Sequence, residues 1–289
     1  MKRLSLVCAV LLLACSGSSR PSGRDGGGNV DAGDAGVGRD AAALDAAVAR
    51  DAAVAEDVVV WAHSPRELYS FDPRTNLVTE VGAFRNAAGE DVADMTDLAV
   101  DGFGNLFTCS FDALFRVDPA TAVVTEIGSF GIPTEVRFNA LTFLPAGVLD
   151  PATEVLVAAT AEGAYYRIDT STATASLVGN FAPGYGSSGD VVSVLGAGTF
   201  AAASREGFDS DWLVRLDPVT GAVTPIGSTG TTRLFGLGYW RNRLFGFNSL
   251  GWLYEINIET GAANLVTNDT GARTFFGAGV TTNAPTAPI

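Results

Sequence analysis

A short strand ending in Asp or Asn and running into a turn occurs five times in this chain, and no other feature narrows its fold as much. The first copy is Leu68-Tyr69-Ser70-Phe71-Asp72-Pro73, and the others run from Leu114 to Pro119, Tyr165 to Thr170, Leu213 to Pro218 and Leu253 to Ile258. Three residues after the Asp or Asn comes a threonine in every copy (Thr75, Thr121, Thr172, Thr220, Thr260). Ten residues after it comes glycine in four copies (Gly82, Gly128, Gly179, Gly227), with Thr267 in the fifth. Alternating apolar positions in Leu-Tyr-x-Phe are strand period. The Asp-Pro-x-Thr-Gly segment is turn chemistry: the carboxylate accepts backbone N–H groups, Pro presets φ, and Gly or Asn tolerates positive φ.

Two more short strands lie upstream of each pair, as in Leu98 to Thr108, where Asp101 to Asn105 reads as a hairpin turn. Four strands in a period of 40 to 51 residues predict the blade of a β-propeller. The first unit has three strands (Val58 to Trp61, Leu68 to Phe71, Leu77 to Val81), while the C-terminus has a spare one, Phe275 to Thr281. That last strand is expected to complete blade 1 from the inside. The expected fold is an all-β, five-bladed propeller of four-stranded antiparallel blades over residues 57–289. The repeats resemble the Leu-Tyr-x-Ile-Asp-x-x-Thr-Gly repeats of secreted bacterial β-propellers, over the whole chain after residue 56. The resemblance implies a fold and leaves function open, since propellers host lectins, hydrolases, lyases and scaffolds alike. The repeats lack the late tryptophan of quinone-binding propellers, and one histidine cannot supply the several of streptogramin-lyase-like ones.

The N-terminus speaks about location. Lys2 and Arg3 precede an apolar run from Leu4 to Ala14, too short for the roughly 20 residues of a membrane-spanning helix, and residues 1–14 read as a signal peptide. Leu12-Leu13-Ala14-Cys15 followed by Ser16 resembles the lipobox of bacterial lipoproteins, although Leu13 departs from the small or β-branched residue usual there. The resemblance implies lipid attachment at Cys15 and a cell-envelope location on the outer membrane, with the domain outside the cytoplasm. Residues 15–56 are Gly-, Asp- and Ala-rich without one aromatic side chain, a composition that cannot bury enough surface to fold and reads as a disordered tether.

Composition then excludes chemistry. Lys2 is the sole lysine, so a processed chain has no amine for Schiff-base or P-loop work. His63 is the sole histidine, and after processing Cys109 is the sole cysteine of the domain, which leaves neither a poly-histidine metal site nor an internal disulfide. Residues 57–289 carry 12 Arg against 25 acids, a net charge of −13 that disfavours nucleic acid.

Three groups of residues are candidates for a ligand site at the channel mouth. Asp94, Asp97, Arg137, Asn139, Asp190, Arg233 and Arg273 precede or open the innermost strands. There they either bind an anion or polar sugar through guanidinium forks or pair with one another across blades. His63, Cys109, Thr160, Ser204 and Asn248 share one position of the repeat, too widely spaced for a His–Cys catalytic dyad. Trp212 and Trp252 share another, as sugar platforms or as packing between blades. The reading is a monomeric, non-catalytic binding or interaction module for a glycan or protein, without cofactor, metal or catalytic residues. The alternative is a hydrolase of carbohydrate or similar polar substrates in which Asp97 and Asp190 act as acid and base.

Overall fold

The computed structural model describes residues 60–288, and all regular structure in it is β-strand. The expected signal peptide, Cys15 and the tether lie outside the described residues. Strands β1 to β3 are Val60–His63, Glu67–Asp72 and Leu77–Ala83. Blade 2 holds β4 to β7 (Asp97–Val100, Leu106–Cys109, Ala113–Val117, Val124–Ser129), and blade 3 holds β8 to β11 (Phe138–Leu144, Val155–Thr160, Ala164–Ile168, Ala175–Asn180). Blade 4 holds β12 to β15 (Tyr185–Val194, Gly198–Arg205, Trp212–Leu216, Val223–Ser228), and blade 5 holds β16 to β19 (Leu234–Trp240, Arg243–Asn248, Leu253–Ile256, Ala263–Thr267). The last strand, β20 (Gly277–Gly279), pairs antiparallel with β1 through Trp61–Gly279, Ala62–Ala278 and His63–Gly277, so blade 1 reads β20-β1-β2-β3 from the axis outward. The ring thus has five four-stranded blades, closed by the C-terminal strand as the repeat arithmetic predicts.

Each repeated residue has a local job. Asp72, Asp118, Asp169, Asp217 and Asn257 accept the backbone N–H two residues on (Arg74, Ala120, Ser171, Val219 and Glu259) at 2.8 to 2.9 Å. Four residues after each of them the chain turns left-handed, at Asn76, Ala122, Ala173, Gly221 and Gly261. The glycine ten residues on serves the neighbouring blade. A Cβ on Gly179 would overlap the Thr220 carbonyl, and one on Gly227 the Thr260 carbonyl, so the outer strand of one blade sits directly against the Asp turn of the next. The spacing of the motif is therefore a contact between blades as well as a turn within one.

Apolar residues of facing sheets fill the space between blades. One cluster joins Val192, Phe200 and Leu213 of blade 4 to Leu237, Phe245 and Phe247 of blade 5 and Phe71 of blade 1. Edge-to-face contacts of Phe71 with Phe245 and Phe247, at 4.9 and 5.3 Å between centroids, stitch the seam where the ring closes.

Beyond β20 the chain runs beneath the channel and ties four blades. Thr281 bridges Val100 of blade 2, and the Thr282 carbonyl accepts from the Leu195 amide of blade 4 at 2.8 Å. The Thr282 hydroxyl donates to Glu154 of blade 3, whose other oxygen accepts from the Gly102 amide at 2.7 Å, and the Pro285 carbonyl accepts from the Arg241 amide of blade 5 at 2.6 Å. Val280, Thr282 and Ala284 are buried by this crossing. A chain ending at residue 274 loses both the closing strand and this seal, and is expected to show no sharp unfolding transition in a urea melt followed by circular dichroism. A cooperative transition at the full-length midpoint would show that closure lies elsewhere.

Candidate functional site

The innermost strands β20, β4, β8, β12 and β16 converge so closely that small residues line the axis: a Cβ on Gly236 would fall 2.8 Å from the Ala278 side chain. At one level of the axis, each innermost strand gives an amide that no strand partner takes up. Two carboxyls accept them. Asp97 Oδ1 accepts from Leu98 (blade 2) at 2.8 Å, and Oδ2 from Leu141 (blade 3) at 2.5 Å. Asp190 Oδ1 accepts from Val191 (blade 4), while Oδ2 accepts from Leu237 (blade 5) and, at 3.3 Å, from Ala278 (blade 1). The two carboxyls also hydrogen-bond each other, and both side chains have no solvent exposure. Burial pushes both well above the ordinary carboxylate range, and the charge of Asp190 raises Asp97 further. The pair therefore holds a proton between its oxygens, since two ionised carboxylates in contact without water repel strongly.

His63 and Cys109 flank this pair. Their counterparts keep turn duties: Thr160 Oγ1 accepts from the Ala164 amide, and Asn248 Oδ1 from the Leu250 and Trp252 amides. In blades 1 and 2 that duty moves one residue on, to Ser64 and Ser110, which accept from Glu67 and from Ala113. His63 and Cys109 are thereby released to the interior, both fully buried. Cys109 is the strand partner of Asp97 and contacts the Thr96 hydroxyl at 3.3 Å, and its thiol is pushed up to about 11 by burial. His63 Nδ1 lies 2.7 Å from the Ser64 carbonyl and donates to it, while Nε2 has no partner. Burial lowers the ring to about 4, so it is neutral at pH 7. Nε2 and Asp97 Oδ1 both border Gly277, which leaves no room for a side chain between them. Among the described residues no group of three or more His, Cys, Asp or Glu is placed to hold a metal ion.

The remaining candidates stand on the upper face. Asp94, Arg137, Arg233 and Arg273 are exposed, and none joins the ion pairs Arg74–Asp72, Arg85–Asp91 and Arg243–Glu255. Arg137 lies over the Phe111 ring at 5.0 Å, and Asn139 donates to the Ser187 carbonyl at 3.1 Å. Phe235 and Phe276, half-buried, meet edge to face at 5.7 Å at the mouth, each two residues before the axial amide of its strand. Trp252 packs against the core shared by blades 5 and 1. Trp212 belongs to an arrangement that the repeat pattern does not reveal. Blade 4 has the longest hairpin of the ring, β12 of ten residues paired with β13 of eight. At its upper end the Arg205 guanidinium lies 4.2 Å from the Trp212 ring centroid, 4.6 Å from that of Phe208 and 5.5 Å from that of Tyr185.

Acid–base hydrolysis needs two carboxyls that reach substrate and water. Asp97 and Asp190 instead face each other and the backbone, beneath the mouth. The upper face presents exposed arginines, half-buried aromatic rings, the Asn139 amide and the Asp94 carboxylate. No protein-family model and no curated protein sequence matches this chain. Solved structures do: a symmetrical protein whose de novo evolutionary emergence is shaped by folding constraints is 17% identical with a TM-score of 0.48, over 80% of this chain and 99% of that one. Hydrazine synthase of Kuenenia stuttgartiensis is 17% identical with a TM-score of 0.39, over 69% of this chain and 59% of that one. A protein of unknown function from Bacteroides caccae is 8% identical with a TM-score of 0.40, over 73% and 72%. Likeness at this level concerns fold alone. The class is a five-bladed β-propeller with a sealed axis and an open upper face.

Two measurements test the axial pair. Asp190→Ala orphans the Leu237 and Ala278 amides together with the proton on Asp97, and at about 1 to 3 kcal/mol for each unsatisfied buried group it should cost roughly 3 kcal/mol or more in urea unfolding. For pH, a carboxyl raised in the folded state contributes stability that is complete below its unfolded value of about 4 and is lost as pH rises through the folded value. His63, lowered from 6.5 to about 4, works the other way: its contribution is complete above 6.5 and lost as pH falls towards 4. In a His63→Gln protein, unfolding free energy should therefore decline as pH rises from about 4, and adding Asp97→Asn should flatten that decline. A profile unchanged by Asp97→Asn would sink the shared proton.

Proposed function

We propose that this protein is a non-catalytic binding module, held at the cell envelope by lipid on Cys15 and presenting the upper face of its propeller to a glycan or protein ligand. The observation that carries this reading is the fate of the two best candidate acids. Asp97 and Asp190 have their oxygens taken up by amides of all five innermost strands, which supports a structural role for them and leaves recognition to the mouth. The exposed guanidinium groups of Arg137, Arg233 and Arg273 offer planar forks to anions, and the half-buried rings of Phe235 and Phe276 offer faces to sugars.

A glycan and metabolite binding screen on the purified protein tests the module. Binding abolished by Arg233→Ala but kept by Trp252→Ala places an anion at the mouth, and the reverse places a sugar on the tryptophan. Turnover of any glycoside by the parent protein that is lost in folded Asp97→Asn and Asp190→Asn variants would overturn the non-catalytic reading. For the anchor, Cys15→Ser should abolish metabolic labelling by fatty acid and move the protein from the membrane fraction to the soluble one. Retention of label in that variant would remove the lipid anchor.

A further inference from the structure

Function in a repeated fold is best sought where one unit departs from the others, because the shared positions are already explained by the ring. Blade 4 departs most. Tyr185 pairs with Arg205, Ser187 with Ala203, and Ala203 with Trp212 across β12, β13 and β14. Strand alternation therefore puts Tyr185, Ser187, Arg205 and Trp212 on one face, and Ala203 and Trp212 of that face pack with Ala159 and Phe181 of blade 3. The group stands at the upper end of the packed seam between blades 3 and 4.

Arg205 is half-buried there, with three aromatic rings around its guanidinium and no hydrogen bond or ion pair to the protein. Stacking on rings uses the faces of a guanidinium and orients it, while the N–H fork at its edge stays available. Two stacked arginines elsewhere in the ring are bound as well: Arg243 holds Glu255 and the Pro73 carbonyl, and Arg116 holds Asn105. Two more polar groups on the Arg205 face lack partners. Ser187, 2% exposed, has an unpaired buried hydroxyl, and the Trp212 Nε1–H is buried and unpaired as well. Such groups in a native fold call for an explanation, and a hydroxyl-rich ligand supplies one. Phe208, 52% exposed beside Trp212 at 5.2 Å, adds an apolar face to the same rim.

We propose that this rim binds a carboxylated sugar, with the Arg205 fork taking the carboxylate and the Phe208–Trp212 edge taking the apolar face of the pyranose ring. The proposal rests on the binding-module reading and names its ligand class. A planar carboxylate matches the guanidinium fork in a bidentate way. A phosphate dianion would meet twice the repulsion from a domain of net charge −13, with Glu206 and Asp209 exposed close by in the chain. A pyranose ring, unlike a simple carboxylic acid, uses both the aromatic edge and the unpaired hydrogen-bonding groups.

The test is calorimetric titration of the purified protein with a trisaccharide of glucuronic acid, the trisaccharide of glucose with the same linkage, and inorganic phosphate. The acidic trisaccharide should bind at least about tenfold more tightly than the neutral one, the ratio expected for one charge-assisted hydrogen-bonded pair, and phosphate should not compete. Arg205→Gln should remove that preference while the thermal unfolding midpoint stays that of the parent. Arg205→Lys should restore it only in part, because an ammonium lacks the fork, and Arg167→Gln, at an exposed arginine of blade 3 outside both the mouth and this site, should leave it intact. Acidic-sugar binding that survives Arg205→Gln, equal binding of the neutral sugar, competition by phosphate, or no binding of the acidic trisaccharide would each overturn the assignment. A different ligand found in the wider screen, bound independently of Arg205, would overturn this site and leave the binding module standing. A glycan and metabolite screen that stays silent would overturn this site and leave the module with a protein ligand.

Discussion

Five strands cannot meet around an axis without turning backbone amides toward one another, and in this propeller two aspartates resolve that conflict. The amides of Leu98, Leu141, Val191, Leu237 and Ala278 all point at one level of the axis, and four carboxyl oxygens accept them. Left alone, buried amides would each cost about as much as the whole margin a typical hydrogen bond provides, and several times over for the set. Carboxyls are suited to the task because each offers two oxygens with two lone pairs apiece, enough to serve neighbouring and next-but-one blades from a single side chain. The cost is charge, and the pair meets it by sharing a proton. Everything near the axis conforms to this arrangement: glycine at 277 beside Asp97, alanine at 278 beneath Asp190, neutral His63 and a protonated Cys109 thiol.

The same arrangement divides the molecule into a sealed part and an open part. The lower end is crossed by the C-terminal segment through Thr281, Thr282 and Pro285. The middle is filled by the carboxyl pair. The upper rim leaves cationic and aromatic groups exposed, and there the blades differ from one another in length and composition. The division explains why residues with a chemically active look sit where no substrate reaches, while unremarkable loop arginines line the accessible surface.

Much of this was legible in the amino-acid sequence. Blade number, turn chemistry and closure by the C-terminal strand follow from the spacing of Asp72, Asp118, Asp169, Asp217 and Asn257, because period and turn type are local properties. Small residues at 236, 238 and 277 to 279 are what permits the close approach at the axis. What could not be read was the direction of Asp97 and Asp190. Their position before an innermost strand suits a mouth residue and an axial residue equally, and only the folded course of the five strands, with register shifts in β8, β12 and β16, distinguishes the two. The release of His63 and Cys109 to the interior depends on Ser64 and Ser110 taking over a turn contact, a substitution of roles by one position that sequence alignment hides. Expected ion pairing among Arg137, Arg233 and Arg273 and the mouth acids is replaced by solvent exposure, because Asp97 and Asp190 turn inward and Asp94 stands exposed outside the ion pairs. Arg205 escaped notice because its partners Tyr185, Phe208 and Trp212 meet it through hairpin register and share no motif.

The shared proton between Asp97 and Asp190 can be observed directly by infrared difference spectroscopy in deuterated buffer at neutral pH. A carboxylic-acid carbonyl band should be present in the folded protein, where every exposed Asp and Glu is ionised, and it should disappear both on unfolding and in Asp97→Asn. Absence of that band from the folded protein, or its persistence at full intensity in Asp97→Asn, would contradict a propeller axis built around one protonated carboxyl pair.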